Sequence, residues 1–277
     1  MDYLKYLEMI RMNPQEAKKY KNSFIPDTLF KYFKLTEDKT RNEKRFKTLA
    51  SAELHLGTYD DYNDPFEGTF LLIDEKKLSE YGWPYGVVSQ LYKNLVNGYK
   101  ICSLADTDEQ DMPMWAYYAN GHKGFCVEYK LSPKQKDYIF PVSYEIKRQR
   151  ATSLMANLVN DTIKVANNNP RANISDKLNL LDEDSSRANI LIFLSIATKH
   201  ESWKHEKEFR IIVPSTHNSF PAIPSRIYAG KNCDIECIER LTEITEEYQR
   251  KGFPVELYKM QFNPDDEYFQ LAKEKLV

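Results

Sequence analysis

Two glutamates and an arginine alternate with other residues in the segment Glu206-Lys207-Glu208-Phe209-Arg210, just before the apolar run Ile211-Ile212-Val213. Because side chains alternate between the two faces of a strand, Glu206, Glu208 and Arg210 are expected to share one face. Two like charges so close repel each other, so this arrangement does little to stabilise a purely structural strand. A site that binds a cation or a ribose, or that transfers a proton, can use the two carboxylates. The alternative is a solvated edge strand in which Arg210 neutralises one glutamate.

Asn63 and Asp64 are a second pair of candidate ligand contacts, in the turn-rich loop that runs from Tyr59 to Gly68. The loop contains Asn, Asp, Pro and Gly, whose side chains and backbone preferences impose a fixed conformation. The sequence therefore predicts a rigid loop at the border of a site. The alternative is a structural turn in which Asp64 caps backbone amides.

Aromatic and basic side chains supply the remaining candidates. Lys31 and Tyr32 lie on a predicted strand, although Tyr32 also suits a core position. Trp115 and Tyr118 lie on a short predicted helix, where Trp115 is expected to be buried in either case. His122 follows on a turn flanked by glycines and is a candidate anion contact, with a solvated turn as the alternative.

Composition excludes several classes of protein. The 277-residue chain has 39 Lys and Arg against 41 Asp and Glu, so its net charge of −2 offers no electrostatic case for generic DNA or membrane affinity. Its four cysteines and five histidines show no zinc-site spacing. We expect a reduced, cytoplasmic protein without a signal peptide, since no apolar run approaches the ~20 residues that span a bilayer.

Hydrophobic patterning predicts one α+β domain over residues 1–277, with a split, mainly antiparallel sheet as its core. Strand patterns recur before and after residues 147–200, which are almost wholly helical in pattern. We therefore expect a helical insertion over this range. It should pack on the sheet, because no Gly or Pro linker separates it from the strand that carries Glu208.

The ordered motifs together resemble the bacterial family known as domain of unknown function 2971, from about residue 28 to residue 231. The motifs are Phe30-Lys31-Tyr32, Asn63-Asp64-Pro65-Phe66-Glu67, Cys102-Ser103-Leu104, Met114-Trp115-Ala116-Tyr117-Tyr118-Ala119 with His122-Lys123-Gly124, and Trp203 with Glu206-Lys207-Glu208-Phe209-Arg210. This chain has Tyr117 where members of that family typically have a histidine. Any role of that histidine is therefore not carried over.

The order of these motifs is also similar to that of ADP-ribosyltransferases, which split NAD. The resemblance implies NAD as substrate, Glu208 as the carboxylate that stabilises an oxocarbenium-like transition state, and Tyr32 as a polar contact near the nicotinamide ribose. Glu206 would orient the ribose or neutralise Arg210. No metal is expected, the acceptor is left open between a protein and a nucleic acid, and a bacterial phage-defence or toxin role is implied.

Two other functional classes fit the same residues. The carboxylates of Asp64, Glu67, Glu206 and Glu208, with His122, are a possible Mg²⁺ set for a nuclease or phosphoesterase, although no nuclease signature is recognisable. The third class is a non-enzymatic nucleotide sensor or partner-binding module. Loss of NAD, metal-dependent cleavage of nucleic acid, or stabilisation by a nucleotide without turnover distinguishes the three.

Overall fold

Glu208 and Arg210 lie at one end of a strand inside a large sheet, and Glu206 precedes that strand. The computed structural model describes residues 1–62, 64–171 and 191–277. The strands are β1 (Thr28–Phe33), β2 (Glu53–His55), β3 (Leu71–Leu72), β4 (Tyr99–Ala105), β5 (Phe125–Lys130), β6 (Ile139–Pro141), β7 (Ser143–Glu145), β8 (Gln149–Arg150), β9 (Thr198–His200), β10 (Glu208–Pro214), β11 (Ser219–Pro221), β12 (Arg226–Ala229), β13 (Glu256–Phe262) and β14 (Leu271–Lys275).

The helices flank this sheet and connect its strands. The α-helices are α1 (Tyr3–Met12), α2 (Pro14–Asn22), α3 (Lys39–Ala50), α4 (Glu75–Glu80), α5 (Val87–Val96), α6 (Met112–Tyr118), α7 (Pro133–Lys136), α8 (Thr152–Asn168) and α9 (Ile235–Arg250), with 3-10 helices at Tyr59–Asp61 and Glu201–Glu206. Residues 191–196 are also helical. In the described parts of the chain, no helix combines the length and apolar character needed to cross a membrane.

Eight strands form one sheet in the order β14-β13-β12-β5-β1-β4-β10-β6. All neighbouring pairs are antiparallel except β12 and β13. The mixed α+β class and the mainly antiparallel sheet are therefore as predicted. The sheet is continuous instead of split, although β1 and β4 are joined by a single register pair, Phe30 with Ala105.

The two faces of the sheet bury different layers of helices. On β10, Phe209, Ile211 and Val213 contribute to a core with side chains of α3 and α9. Ile212 points the other way, into a core formed with side chains of α1, α5 and α8. Alternation along one apolar strand thus supplies both cores, as expected for a strand covered on both faces.

The helical region after residue 147 packs on this second face. Met155 and Leu158 of α8, with Ile192 and Ile196, belong to the same apolar cluster as Ile212 of the sheet. The region also contributes β8 and β9, which pair in parallel with β3 and β7, so it is less purely helical than its pattern indicates. Residues 172–190, including the acidic run Asp182-Glu183-Asp184, lie outside the described residues.

Lys21 is a buried lysine, 1% exposed, that ties α2 to the sheet. Its amine donates to the carbonyls of Lys136 and Ile139 and lies 4.7 Å from the ring centre of Phe140. Burial lowers the pKa of Lys21 to about 7, and Asp137 opposes this shift only in part. The folded protein therefore binds fewer protons at this lysine than the unfolded chain does between pH 7 and the ordinary lysine pKa of 10.5.

We expect the contribution of Lys21 to stability to increase with pH over this range. The reason is that Lys21 loses its proton at a lower pH in the folded protein than in the unfolded chain. The slope is at most roughly 1.4 kcal/mol per pH unit. Urea unfolding at pH 7, 8 and 9 measures it, with Lys21→Met as the comparison. An identical pH dependence in wild type and Lys21→Met would contradict the assignment.

Candidate functional site

The start of β10 carries two of the predicted charged residues on one face. Glu208 and Arg210 are in register with Ala105 and Ser103 of β4. The prediction that Glu206 shares their strand is wrong. Glu206 is the last residue of the 3-10 helix Glu201–Glu206, and Lys207 then adopts a φ of 46°, which turns the chain before the strand begins.

Arg210 is the centre of a buried network and is itself 0% exposed. Its Nε donates to Glu208 at 2.8 Å, while one terminal nitrogen donates to Glu67 at 2.7 Å. The other terminal nitrogen donates to the carbonyl of Ile196 at 2.6 Å. The planar guanidinium therefore fixes two carboxylates and one backbone carbonyl at once, which suits its fork of donors.

Lys199 is the second buried cation of the network. Its amine lies 2.5 Å from Glu206 and 3.1 Å from Glu208, and it also lies 4.8 Å from the ring centre of Trp203. Glu206 is thus neutralised by Lys199 and not by Arg210. Three buried carboxylates, those of Glu67, Glu206 and Glu208, face two buried cations in this network.

The shortage of positive charge is reflected in the pKa values. Burial alone would raise the pKa of Glu208, but its attraction to Arg210 and Lys199 outweighs burial and lowers the pKa to about 2. The pKa of Glu67 is instead raised, chiefly by burial, because Arg210 compensates it only in part and Glu208 repels it. Glu67 is therefore the carboxyl group of this pair that takes up a proton more readily.

Hydroxyl groups complete the surroundings of Glu206 and Glu208. Ser103 donates to Glu208, and Tyr118 of α6 donates to Glu206. The backbone N–H of Glu208 donates to the hydroxyl of Tyr144 at 2.8 Å. Both oxygens of Glu208 accept hydrogen bonds from Arg210. One of them also accepts from Ser103 and the other from Lys199, so each carboxylate oxygen has two donors.

A cavity of about 470 Å³ adjoins the network on the side of Glu67. Its walls come from the loop around residues 59–69, from α5 and from Arg148. They combine charged and polar side chains with apolar and aromatic ones, among them Tyr59, Tyr62, Leu71, Tyr92 and Val96. Gly68 closes the loop with a φ of +66°, and a Cβ there would lie 3.1 Å from both Tyr59 and Val96. A side chain at this position would therefore be strained and crowded.

Three residues that line the cavity have buried oxygens without a hydrogen-bond partner among the described residues. These oxygens are the hydroxyl of Tyr59, Oδ2 of Asp64 and Oε2 of Glu67. Asp64 is 5% exposed and Glu67 is 7% exposed. Since a buried polar atom without a partner costs about 1–3 kcal/mol, this arrangement suits a ligand that brings hydrogen-bond donors.

The structure gathers some of the predicted site residues and separates others. Asp64, Tyr118, Glu206, Glu208 and Arg210 all belong to the cavity or to the network. Lys31 lies beside it, because its amine donates to the carbonyl of Ser103 at 2.9 Å. Asn63 lies outside the described residues.

Tyr32, Trp115 and His122 form a separate aromatic cluster, in which Tyr32 meets Trp115 edge to face and Trp115 stacks on His122. The ring centres of Tyr32 and Trp115 are 5.2 Å apart, and those of Trp115 and His122 are 5.6 Å apart. The hydroxyl of Tyr32 donates to the carbonyl of Asp108. Tyr32 and Trp115 are thus core aromatics that support α6, which is the structural alternative stated for Tyr32.

Sequence reasoning misses that Glu67 lines the cavity and that Lys199 is a buried cation of the network. The sequence suggests only a metal-ligand role for Glu67, although this residue closes the Asn63–Glu67 motif. No signal in the sequence distinguishes Lys199 from other lysines, because its partners follow seven and nine residues later through a 3-10 turn. In the described ranges, no group of three or more His, Cys, Asp or Glu side chains is arranged to hold a metal ion.

Comparison with known families links the network to one family model. Residues 114–211 match the family described as "Protein of unknown function (DUF2971)", which is less than half of the chain. The matched range contains Lys199, Glu206, Glu208 and Arg210, whereas Glu67 precedes it. No significant match was found among curated proteins or among solved structures.

Proposed function

We propose that this protein binds a nucleotide such as NAD in the cavity and cleaves its N-glycosidic bond, as an NAD hydrolase or an ADP-ribosyltransferase. One observation carries the proposal: Arg210 holds one oxygen of Glu67, while the other oxygen has no partner among the described residues and belongs to a cavity-lining side chain. A fixed, buried carboxylate of this kind is suited to stabilise positive charge that develops on a ribose.

The proposed reaction breaks the bond between C1′ of the ribose and the pyridinium nitrogen, and nicotinamide leaves with the bonding electron pair. The ribose carbon becomes oxocarbenium-like, and the carboxylate of Glu67 stabilises this charge. Water or an acceptor hydroxyl then attacks C1′ and loses a proton, for which Asp64 and Glu67 offer unpartnered carboxylate oxygens. The aromatic side chains in the walls would pack against the flat leaving group.

Glu206 and Glu208 take a different role from the one that the resemblance implies for them. Their oxygens are occupied by Lys199, Arg210 and hydroxyl groups, so contact with a substrate would require these bonds to break. We assign Glu208 and Arg210 as positioning residues that hold Glu67 in place. The reacting carboxylate in this proposal is therefore that of Glu67, in the loop around residues 59–69, and not that of Glu208 on β10, which follows more than a hundred residues later.

The size and charge of the cavity support a nucleotide as ligand. A volume of about 470 Å³ lies within the usual range of small-molecule sites, roughly 300–1,000 Å³. Lys93 lines it and is available to a phosphate, whereas Arg148 lines it but already donates to the carbonyls of Thr69 and Leu71. An activity that consumes NAD would fit the phage-defence role that the family resemblance implies.

Filling the cavity should abolish the binding of NAD without unfolding the chain. Ser89 of α5 is half-buried and lines the cavity, so Ser89→Trp is expected to block it, whereas Gln90→Trp on the exposed side of the same helix is the matched control. Thermal shift and calorimetric titration with NAD measure binding. We expect at least a tenfold loss of affinity for Ser89→Trp and wild-type affinity for Gln90→Trp.

Assays of nicotinamide release and of Mg²⁺-dependent nucleic-acid cleavage, run beside these binding measurements, separate the competing functions. Stabilisation by NAD in wild type without any release of nicotinamide would favour the nucleotide sensor over the enzyme. Cleavage of nucleic acid that depends on Mg²⁺, together with no response to NAD, would favour the nuclease. Equal binding of NAD by wild type and Ser89→Trp would place the ligand outside this cavity.

A further inference from the structure

Lys93 is an exposed lysine in the last turn of α5, and it lines the same cavity as the buried carboxylates of Asp64 and Glu67. Its amine has no ion pair or hydrogen-bond partner among the described residues. The helix α5 contains no acidic residue, so Lys93 has no counter-ion on its own helix. An unpaired cation at a cavity is available to an anionic group of a ligand.

A hydrogen bond fixes the position of Lys93 relative to Glu67. The hydroxyl of Tyr92, the residue before Lys93, donates to the carbonyl of Gly68, the residue after Glu67, at 2.8 Å. The same hydroxyl accepts from the backbone N–H of Leu71 at 3.3 Å. The helix that carries the amine and the loop that carries the carboxylate are therefore held against each other.

The groups that line the cavity differ in their access to water. The unpartnered oxygens of Tyr59, Asp64 and Glu67 are buried, and these residues are at most 7% exposed. Lys93 is exposed and Asn97, one turn further along α5, is half-buried. A ligand in the cavity thus meets two carboxylates where water is excluded and a cation where water has access.

The nicotinamide half of NAD carries groups of the matching kinds. Its pyridinium ring is cationic, its ribose has two hydroxyl donors, and its 5′ oxygen carries a phosphate. The carboxylates of Asp64 and Glu67 and the rings of Tyr59 and Tyr62 would attract the cationic ring. The adenosine half has a neutral base, so its attraction to the two carboxylates is weaker.

The volume of the cavity also favours one nucleotide over two. At about 470 Å³ it lies in the lower half of the usual range for small-molecule sites, roughly 300–1,000 Å³. The exposed position of Lys93 leaves room for a longer ligand to continue into solvent beyond its first phosphate. NAD can therefore place one half inside the cavity and the other half outside it.

We infer that the cavity recognises nicotinamide ribosides that carry a 5′-phosphate, that Lys93 binds this phosphate, and that the adenosine half of NAD lies outside. Resting on the proposed function, this inference names the substrate class of the same site. Nicotinamide mononucleotide then contains every group that the cavity contacts. Nicotinamide riboside lacks the phosphate, and AMP lacks the cationic ring.

The test measures the binding of these three ligands by calorimetric titration. We expect wild type to bind nicotinamide mononucleotide at least about tenfold more tightly than either nicotinamide riboside or AMP. In Lys93→Met the preference for the mononucleotide over the riboside should disappear, while the affinity for the riboside stays unchanged. The matched control is Lys47→Met, which removes an exposed lysine in the last turn of α3, on the other face of the sheet, and should retain the preference.

Three results would overturn the inference. These are equal binding of mononucleotide and riboside by wild type, an unchanged preference in Lys93→Met, and binding of AMP as tight as that of the mononucleotide, which would place the adenosine half in the cavity. Because only binding is measured, these results do not depend on turnover. A chain that releases nicotinamide from NAD but does not distinguish the mononucleotide from the riboside retains the proposed function and loses this inference.

Discussion

Glu67→Gln is expected to lower the rate of NAD cleavage by ~10²-fold or more, equivalent to roughly 3 kcal/mol of transition-state stabilisation. The amide retains the size of the glutamate and the contact with Arg210, but it lacks the negative charge that stabilises the developing oxocarbenium. NAD affinity should change only a few-fold, because the charge acts mainly in the transition state. Fluorescence release from an etheno-NAD analogue measures the rate.

The control for this substitution is Glu201→Gln, which neutralises an exposed glutamate on the 3-10 helix and should leave the rate unchanged. The pH profile provides a second criterion. Since the pKa of Glu67 is raised, mainly by burial, the wild-type rate should fall with acid at a pH above the ordinary glutamate value of 4.5. Similar rates for Glu67→Gln and wild type would exclude Glu67 as the reacting carboxylate.

The largest expected loss of stability follows from Arg210→Met. Methionine fills similar space but leaves Glu67 and Glu208 buried without their shared cation, and breaking a buried ion pair in this way costs about 3–5 kcal/mol. For a chain of this size, the melting temperature should fall by roughly 10 °C or more. Urea unfolding and thermal melting monitored by circular dichroism measure the change.

Arg226→Met is the matched control, since Arg226 also bridges two glutamates, Glu128 and Glu256, each at 3.2 Å. The side chain of Arg226 is 42% exposed and that of Glu256 is 32% exposed, so water can solvate Glu256 after the substitution, while the buried Glu128 keeps its hydrogen bonds from Ser225 and Tyr228. The loss of Arg226 should therefore cost less than the loss of Arg210. Equal destabilisation by the two substitutions would mean that burial does not set the strength of the Arg210 network.

Local patterns in the sequence predict much of the fold. The apolar and aromatic residues of β1, β4 and β10, and the Asp111 cap with Pro113 at the start of α6, each indicate an element from neighbouring residues alone. The small parallel pairs β3 with β8 and β7 with β9 were not predicted. They are two or three residues long and depend on segments distant in sequence.

The candidate site was predictable only in part, for a similar reason. The spacing of Glu208 and Arg210 reveals a shared strand face, because alternation is a local property. The position of Glu206 depends on the left-handed residue Lys207, which a strand pattern does not reveal. Lys199 and Glu67 reach the network through tertiary packing, so their roles appear only when β9, the 59–69 loop and β10 are brought together.

Release of free nicotinamide from NAD by the purified 277-residue chain tests the central claim most directly. Chromatography quantifies nicotinamide in reactions with wild type, Glu67→Gln and Ser89→Trp. We predict release by wild type that is reduced ~10²-fold in Glu67→Gln and abolished when Ser89→Trp fills the cavity. No release by wild type, or equal release by all three proteins, would contradict it.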